Sequence, residues 1–568
     1  MISPEELHEE LFDYSIKSAA LREKYSPLPH QQEAIKQFVD NNGEIILAHS
    51  TGSGKTASAL FCFESARKLG AAHNALVVVP TGLRTNFAEK GVKKFTDDAV
   101  QVFGNKQEVS DGSHVDFQTA DKTIPYSVVG YELFRQAPHK YMEASGADTL
   151  IVDEVHKARD TKGVNFKALM LARAMATNFI GLTGSVVSNK PSDIIALMTL
   201  SAGYPIAGSQ TEFEKRYMSI IGSREGFLGG KKDITVIIRP SEIQQRFGKL
   251  VNFVSHEDLE RTNPTLFPKK QVSEVLVEMS DEQKDLYNYA MGQLPFITRY
   301  KIEHNIPMDK REAQTVFGKI IRARQVSNSI ATMGTVSLEE AADRTPKIKK
   351  VLDDAQEHLQ TTPDGQVVMY SNLVNGGIDV LAAGLKKRGI SFGVFIGKGR
   401  EVGGNKVQEE TRQAGVSDYL EGKLRVLLVS EAGAEGLDLK NSTMVQMVDG
   451  HFNPEVIQQA EARGVRAKGL EDRPQENRVV IIKRYKSVMP KVGFLRSLFG
   501  GGKKHTTDQW IYDVAAGKDV LNEQFRTALQ TGTRPEYKPP PGFRPKKYLR
   551  RWRVWTATGP EWRYSYGD

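Results

Sequence analysis

Two groups of side chains in this sequence have the types and spacing for phosphate chemistry. The first is Leu47-Ala48-His49-Ser50-Thr51-Gly52-Ser53-Gly54-Lys55-Thr56. Gly52 and Gly54 let the backbone bend so that its N–H groups face a polyphosphate, with Thr51 and Ser53 in the same turn. Lys55 then reaches the β- and γ-phosphates, and the Thr56 hydroxyl is placed to bind Mg²⁺. The generic pattern has Gly or Ala at position 49, where this chain has His49; the Gly-Ser-Gly-Lys-Thr core is intact. The second group is Asp153-Glu154, at the end of the apolar run Thr149-Leu150-Ile151-Val152 and just before Val155-His156. Asp153 suits the Mg²⁺ shell, and Glu154 suits orienting and deprotonating an attacking water. Alone, the first could be a chance glycine turn and the second a solvated strand end. Their pairing in this order predicts hydrolysis of a nucleoside triphosphate.

The elements that position these groups follow from hydrophobic patterning. Residues 44–48 read as a short buried strand and 57–68 as a helix, so the glycine turn joins strand to helix. Strands follow at 75–81, 126–131, 149–153 and 178–185, alternating with helical segments. That alternation predicts an α/β fold with a parallel sheet covered on both faces and ligands at the strands' carboxyl ends. A second alternation runs through 366–371 and 425–430 to 479–482. It has no P-loop of its own, so this second lobe is expected to supply residues in trans to the first lobe's nucleotide site. Between the lobes, 201–345 reads as inserted helical, charged material with a glycine-rich break at 226–230. Ser3-Pro4-Glu5-Glu6 has the form of a capping box opening a leading helix to about Tyr25. Leu28-Pro29-His30-Gln31 follows, and a glutamine there could read adenine through its amide. The expected divisions are 1–200, 201–345, 346–530 and 531–568.

Composition narrows the partners. The chain has 568 residues and a formal charge of +8, which suits a polyanion. Residues 534–568 hold nine Lys/Arg against three Asp/Glu, and three of the four tryptophans. Lys546, Lys547, Arg550 and Arg551 are interleaved there with rings, as in a clamp for DNA or for a protein partner. The rings could equally pack back onto a lobe. Cys62 is the one cysteine, which excludes disulfides within the chain and fits a reducing compartment. No apolar run reaches membrane-spanning length and the acidic start is unlike a signal peptide, so a cytoplasmic location, in a bacterial or virus-infected cell, is expected.

With these stretches in order, the chain resembles the superfamily-two helicases and, within them, the Swi/Snf-type DNA translocases. The resemblance implies two RecA-like lobes using ATP and Mg²⁺, with Gln31 as the adenine reader. Leu182-Thr183-Gly184-Ser185 and His156 resemble coupling elements, as does Gln459 in the second lobe. The run 430–439, with Gly436 and Asp438, resembles the motif before the arginine fingers; Asn is frequent in the family where Asp438 stands. Gln458-Gln459-Ala460-Glu461-Ala462-Arg463-Gly464-Val465-Arg466 resembles the finger motif itself, with Val465 where the family usually has His. Arg463 and Arg466 would thus reach the γ-phosphate across the lobe interface. Nucleic-acid contacts are implied at Pro80-Thr81 and Ser371-Asn372, with double-stranded DNA expected and single-stranded DNA or RNA as the alternative. The length is similar to that of compact phage, bacterial and poxvirus members. Strand separation and an ATPase switch on a transcription or replication complex stay open beside translocation.

Overall fold

The computed structural model describes residues 26–50, 52–184, 191–225, 231–262, 267–306, 308, 310–334, 336–397, 401–402, 405–406, 408–430, 439–466, 469–490, 504–533, 543–545, 550–556 and 559–565. The leading helix expected before Tyr25 lies outside the described residues. Strands β1 (Glu44–His49), β2 (Ala75–Val79), β3 (Val100–Val102), β4 (Tyr126–Gly130), β5 (Thr149–Val152) and β6 (Asn178–Thr183) form the body of a parallel sheet. After the hairpin β7 (Met218–Glu225) and β8 (Lys231–Ile237), β9 (Val251–Val254) completes it in the order β3-β4-β2-β5-β6-β1-β9. Helices cover both faces, so β2, Ala-Leu-Val-Val-Val, is buried at every position.

A second parallel sheet is built from β10 (Lys269–Glu278), β11 (Gln366–Tyr370), β12 (Phe392–Phe395), β15 (Val426–Val429), β16 (Ser442–Met447) and β17 (Val479–Val488). Its order is β10-β17-β16-β11-β15-β12. The short pair β13 (Glu401–Val402) and β14 (Asn405–Lys406) lies outside it. In the tail, β18 (Phe543–Pro545) adds antiparallel to β7, and β19 (Arg550–Thr556) pairs with β20 (Gly559–Ser565) as a separate hairpin. Two parallel-sheet lobes are therefore present.

The stretch between the lobes is richer in strands than its helical reading. β9 belongs to the first sheet, parallel to β1, and β10 belongs to the second, parallel to β17 over ten residues. Both are edge strands: β9 has four residues, and most of β10 is exposed, with charge at Lys269, Lys270, Glu274 and Glu278. Neither therefore carries the apolar run that marks a central strand.

One helix serves both lobes. Thr506 caps it by accepting a hydrogen bond from Gln509 N, Gln509 answers in a capping box, and Gly532 ends it in a left-handed turn at φ +66°. Its 25 residues, Thr507–Thr531, extend roughly 37 Å. Tyr512 and Ala515 pack in the second lobe's core, and Trp510 and Ile511 against the helices before it. Phe525, Ala528 and Leu529 pack with Phe213, Ile243 and Phe247 in the first lobe's core. Its start is fixed by Asp508, which forms an ion pair with Lys347, both fully buried. Asp508 also accepts from Ser487 N at 3.1 Å, and Lys347 also donates to Asn328 Oδ1. Among the described residues, no helix is long and apolar enough to cross a membrane.

A buried pair this enclosed is costly to break from one side, because the remaining charge has no solvent. Lys347→Ala should lower the free energy of unfolding by about 3–5 kcal/mol, read from urea denaturation. Lys347→Met with Asp508→Leu should recover much of that loss. A single variant with an unchanged urea midpoint would show that the pair does not fix this helix.

Candidate active site between the lobes

The nucleotide loop is shaped by two glycines in the left-handed region, Gly52 at φ +89° and Gly54 at φ +86°. Gly54 caps the helix Lys55–Lys68, whose first N–H groups have no partners within the helix and point into the turn. Lys55 is half-buried and donates to the His49 carbonyl at 3.0 Å. Burial draws its pKa down, while the Glu154 and Asp153 charges pull it back up. Thr56 follows Lys55 in the helix's first turn, Ser53 is buried in the loop, and Thr51 lies outside the described residues.

The departure at position 49 has a structural reason. His49 points away from the phosphate turn into the core, where Nε2 lies 2.7 Å from Asn252 Oδ1 on β9. Asn252 in turn donates to Gln37 Oε1 at 2.9 Å. Burial lowers the His49 pKa to about 3, so the ring is neutral and acts as a pin between β1 and β9. Gln31 is buried against the same loop, its Nε2 directed at the Gly54 carbonyl at 3.5 Å while its Oε1 accepts from Leu28 N at 2.9 Å. His30 reaches the Ser53 carbonyl at 3.1 Å.

Asp153 and Glu154 lie where β5 ends. Glu154 has φ +50° and ψ 49°, a left-handed conformation that costs a residue with a side chain about 1–2 kcal/mol. That turn lets neighbouring carboxylates diverge. Asp153 Oδ1 accepts from Glu154 N at 3.0 Å, and the Tyr131 hydroxyl donates to the Asp153 carbonyl at 3.0 Å. Burial and the Glu154 charge raise the Asp153 pKa. Burial also works against the Glu154 carboxylate, but His156, Lys55 and Arg463 outweigh it and hold Glu154 low. His156 Nδ1 is 3.3 Å from Glu154 Oε2 and 3.2 Å from the Thr183 hydroxyl at the end of β6. Ser185 lies outside the described residues.

The other half of the site comes from the second lobe. Asn453 caps the helix Pro454–Gly464 by accepting from Glu455 N at 3.1 Å, with Pro454 at its first position. Ile457 and Ala460 face the second lobe's core. Gly464 allows close packing, since a Cβ there would stand 2.6 Å from Val445 Cγ2. Glu461, fully buried, accepts two bonds from Arg484 at 2.6 and 3.0 Å and one from Lys270 at 3.1 Å. So fixed, the helix delivers its arginines to the first lobe: a Cβ on Gly52 would meet Arg466 Cδ and the Val465 carbonyl, each at 3.2 Å. Arg463 and Arg466 both act electrostatically on Lys55. The Val465 side chain is buried in the second lobe's core. Gly436 and Asp438 lie outside the described residues.

Gln459 donates to Glu455 Oε1 at 3.3 Å, and that same oxygen is 3.9 Å from His156 Nδ1 across the interface. Gln459 and Glu455 line a cleft of about 680 Å³ between the lobes, with Ser50 and Gly184 on the first-lobe side. The residues chosen for the reaction thus converge. Of those expected to meet nucleic acid, Pro80-Thr81 and Ser371-Asn372 lie in two loops at the carboxyl ends of β2 and β11. Pro80 is buried and Thr81 opens a short turn above it. Ser371 is fully buried and donates to Asp449 Oδ2, while Asn372 Nδ2 donates to Asp449 Oδ1 at 2.9 Å. Ser371 therefore shapes its loop from inside. Arg550 and Arg551 belong to β19, opposite Ser565 and Tyr564. Lys546 and Lys547 lie outside the described residues. Tyr131, Asn252, Glu455 and Glu461 were missed by sequence reading. Only Glu461 sits within a quoted motif, and nothing in the chain's order announces that it turns inward.

A family model described as SNF2-related domain matches residues 30–332, and one described as Helicase conserved C-terminal domain matches residues 349–468. The chain is 26% identical over 465 residues to an Acanthamoeba polyphaga mimivirus protein named as a putative ATP-dependent RNA helicase, L538, covering 81% of this chain and 89% of that one. It is 23% identical over 455 residues to the uncharacterized ATP-dependent helicase YqhH of Bacillus subtilis, covering 77% and 72%. It is 21% identical over 578 residues to a termination factor NPH-I homolog of African swine fever virus, covering 89% and 78%. The chain belongs to the SNF2-related family of ATP-dependent, helicase-like enzymes.

Proposed function

We propose that this enzyme couples ATP hydrolysis to translocation along double-stranded DNA. The observation that carries the reading is the composite centre: the Gly52 loop and Asp153-Glu154 of one lobe meet Arg463 and Arg466 of the other. A centre divided this way ties hydrolysis to the relative position of the lobes, and so to movement of whatever both lobes hold. The site fits ATP and Mg²⁺. Gly52 and Gly54 leave a loop whose N–H groups can face phosphate, and Gln31 lies beside it. Thr56 and Asp153 offer the oxygen donors Mg²⁺ favours, and the raised Asp153 pKa marks a carboxylate whose charge a cation would stabilise. Bound there, Mg²⁺ would neutralise charge on the β- and γ-phosphate oxygens. Glu154, held ionised by His156 and Lys55, takes the proton of the attacking water. Arg463 and Arg466 stabilise charge that grows on the transferring phosphoryl group.

Duplex DNA is the track favoured by family membership and by the basic tail. The loops after β2 and β11 would follow the phosphates, giving salt-sensitive binding that tolerates any sequence. The β7–β8 hairpin is the observation behind a second reading, strand separation, because an antiparallel hairpin could serve as a wedge. A termination factor among the relatives favours action on a transcription complex. Triplex displacement from a blunt duplex separates these readings. ATP-dependent release of the third strand, with the duplex left paired, supports translocation. Unwinding of a forked substrate without triplex release supports the helicase. Neither, with turnover awakened only by a polymerase, supports the switch.

Three sets of variants test the parts. Lys55→Ala should lose nucleotide affinity and turnover together, whereas Glu154→Gln should bind ATP and hydrolyse it very slowly; a near-normal rate removes Glu154 from the mechanism. Arg463→Ala and Arg466→Ala should each cut DNA-stimulated turnover by on the order of 10³ with ATP binding largely kept. Wild-type stimulation in both would displace this helix from the active site. Truncation after Thr533 should weaken DNA binding and flatten its dependence on salt, leaving DNA-independent turnover intact. An unchanged affinity and salt slope in the folded truncation would leave the tail to partner docking or packing.

A further inference from the structure

His156 occupies an unusual place among the first lobe's active-site groups, because it stands between carboxylates of different lobes. Within the first lobe Nδ1 is hydrogen-bonded to the Thr183 hydroxyl at 3.2 Å and lies 3.3 Å from Glu154 Oε2. The same nitrogen is 3.9 Å, an ion-pair distance, from Oε1 of Glu455, in the first turn of the arginine-bearing helix. Glu455 is nearly fully buried and is held from two sides. Its backbone N–H is bound by the Asn453 cap at 3.1 Å, and its side chain accepts from Gln459 at 3.3 Å. It therefore moves with the helix that carries Arg463 and Arg466. Burial works to discharge His156, but Glu455 and then Glu154 oppose it and raise its pKa.

We propose that Glu455 is a positioning residue that makes Glu154 competent only while the lobes are together. With the second lobe in place, Glu455 holds the His156 ring, and the ring in turn holds the Glu154 carboxylate at the angle needed to take a proton from water. When the arginine helix withdraws, Glu455 withdraws with it. His156 then keeps only its first-lobe partners, and Glu154 loses its fixed orientation. The arginines and the general base are thereby switched by one rigid element, Asn453 to Arg466. Without such a link, the base would remain poised in the open enzyme and could spend ATP without movement. The proposal rests on Glu154 being the base, and its test is arranged so that the two can fail separately.

The test uses the full chain with saturating duplex DNA. Glu455→Gln keeps an acceptor for Gln459 but removes the charge facing His156. Glu455→Ala removes both, and Glu455→Asp keeps the charge but draws it back by one carbon. The first two should lower kcat on the order of tenfold, the scale of losing one nearby buried charge from the transition state, with KM and Kd for ATP near wild type. Glu455→Asp should fall between them and wild type. A merely structural role is excluded by a double-mutant cycle: in a His156→Ala background, Glu455→Gln should have no further effect, since the residue through which it acts is gone. Full additivity of the two losses, or wild-type kcat in both Glu455→Gln and Glu455→Ala, would overturn the proposal. If Glu154→Gln itself kept turnover, the assignment of the base would fail first. If Glu154→Gln were inactive and the Glu455 variants normal, only the link from Glu455 would fail.

Discussion

The approach of the arginine helix to Gly52 is the constraint on which the rest depends. At that point a Cβ would stand 3.2 Å from both Arg466 Cδ and the Val465 carbonyl, so the approach leaves little room for any side chain at position 52. Phosphoryl transfer gains most from charges already placed where charge will develop, and a shift of about 1 Å can cost a hundredfold. Each lobe therefore has to hold its half of the site rigidly. In the second lobe that task falls to buried Glu461, whose bonds to Arg484 and Lys270 fix the helix on the sheet behind it. In the first lobe it falls to the edge strand β9, pinned to β1 through Asn252 and the neutral His49 ring.

Holding the halves rigid does not by itself hold them in register. The helix Thr507–Thr531 adds this, because its two ends are packed in different cores. Near its middle, Lys518 donates to the Phe452 carbonyl at 3.0 Å, immediately before the cap of the arginine helix. One long helix thus touches the first lobe, the second lobe and the element that carries the arginines. Its N-terminal turn is anchored by the buried Lys347–Asp508 pair, which is costly to break from one side. Relative motion of the lobes is then confined to directions that the helix and the connection through β9 and β10 allow.

Much of this was legible in the sequence, and the pattern of what was not is physical. Central strands such as Ala75–Val79 and Val426–Val429 are buried on both faces, so they must be continuously apolar and declare themselves. Glycines in left-handed turns and carboxylates at a strand end are readable for the same reason: the chemistry leaves few residue types that work. Edge strands escape that rule, which is why β9 and β10 read as part of a helical insertion. Long-range polar pairings escape it too. His49 looks like a flaw in a phosphate loop until Asn252 is seen opposite, and Ser371 looks like a surface contact until its bond to Asp449 places it inside. Helix Thr507–Thr531 was covered by the expected second lobe, because its periodicity shows which face is apolar but not that its ends meet different partners.

The central claim is that the γ-phosphate of bound ATP lies between the lobes, touched by both. A photoreactive group carried on the γ-phosphate of an ATP analogue tests this directly in the full chain, with Glu154→Gln used to keep the nucleotide intact and duplex DNA present. Mass spectrometry of the illuminated protein should find adducts in the 47–56 region and also in the 454–466 region. Adducts confined to the first lobe, under conditions where the nucleotide is bound at saturation, would contradict a site assembled from both lobes.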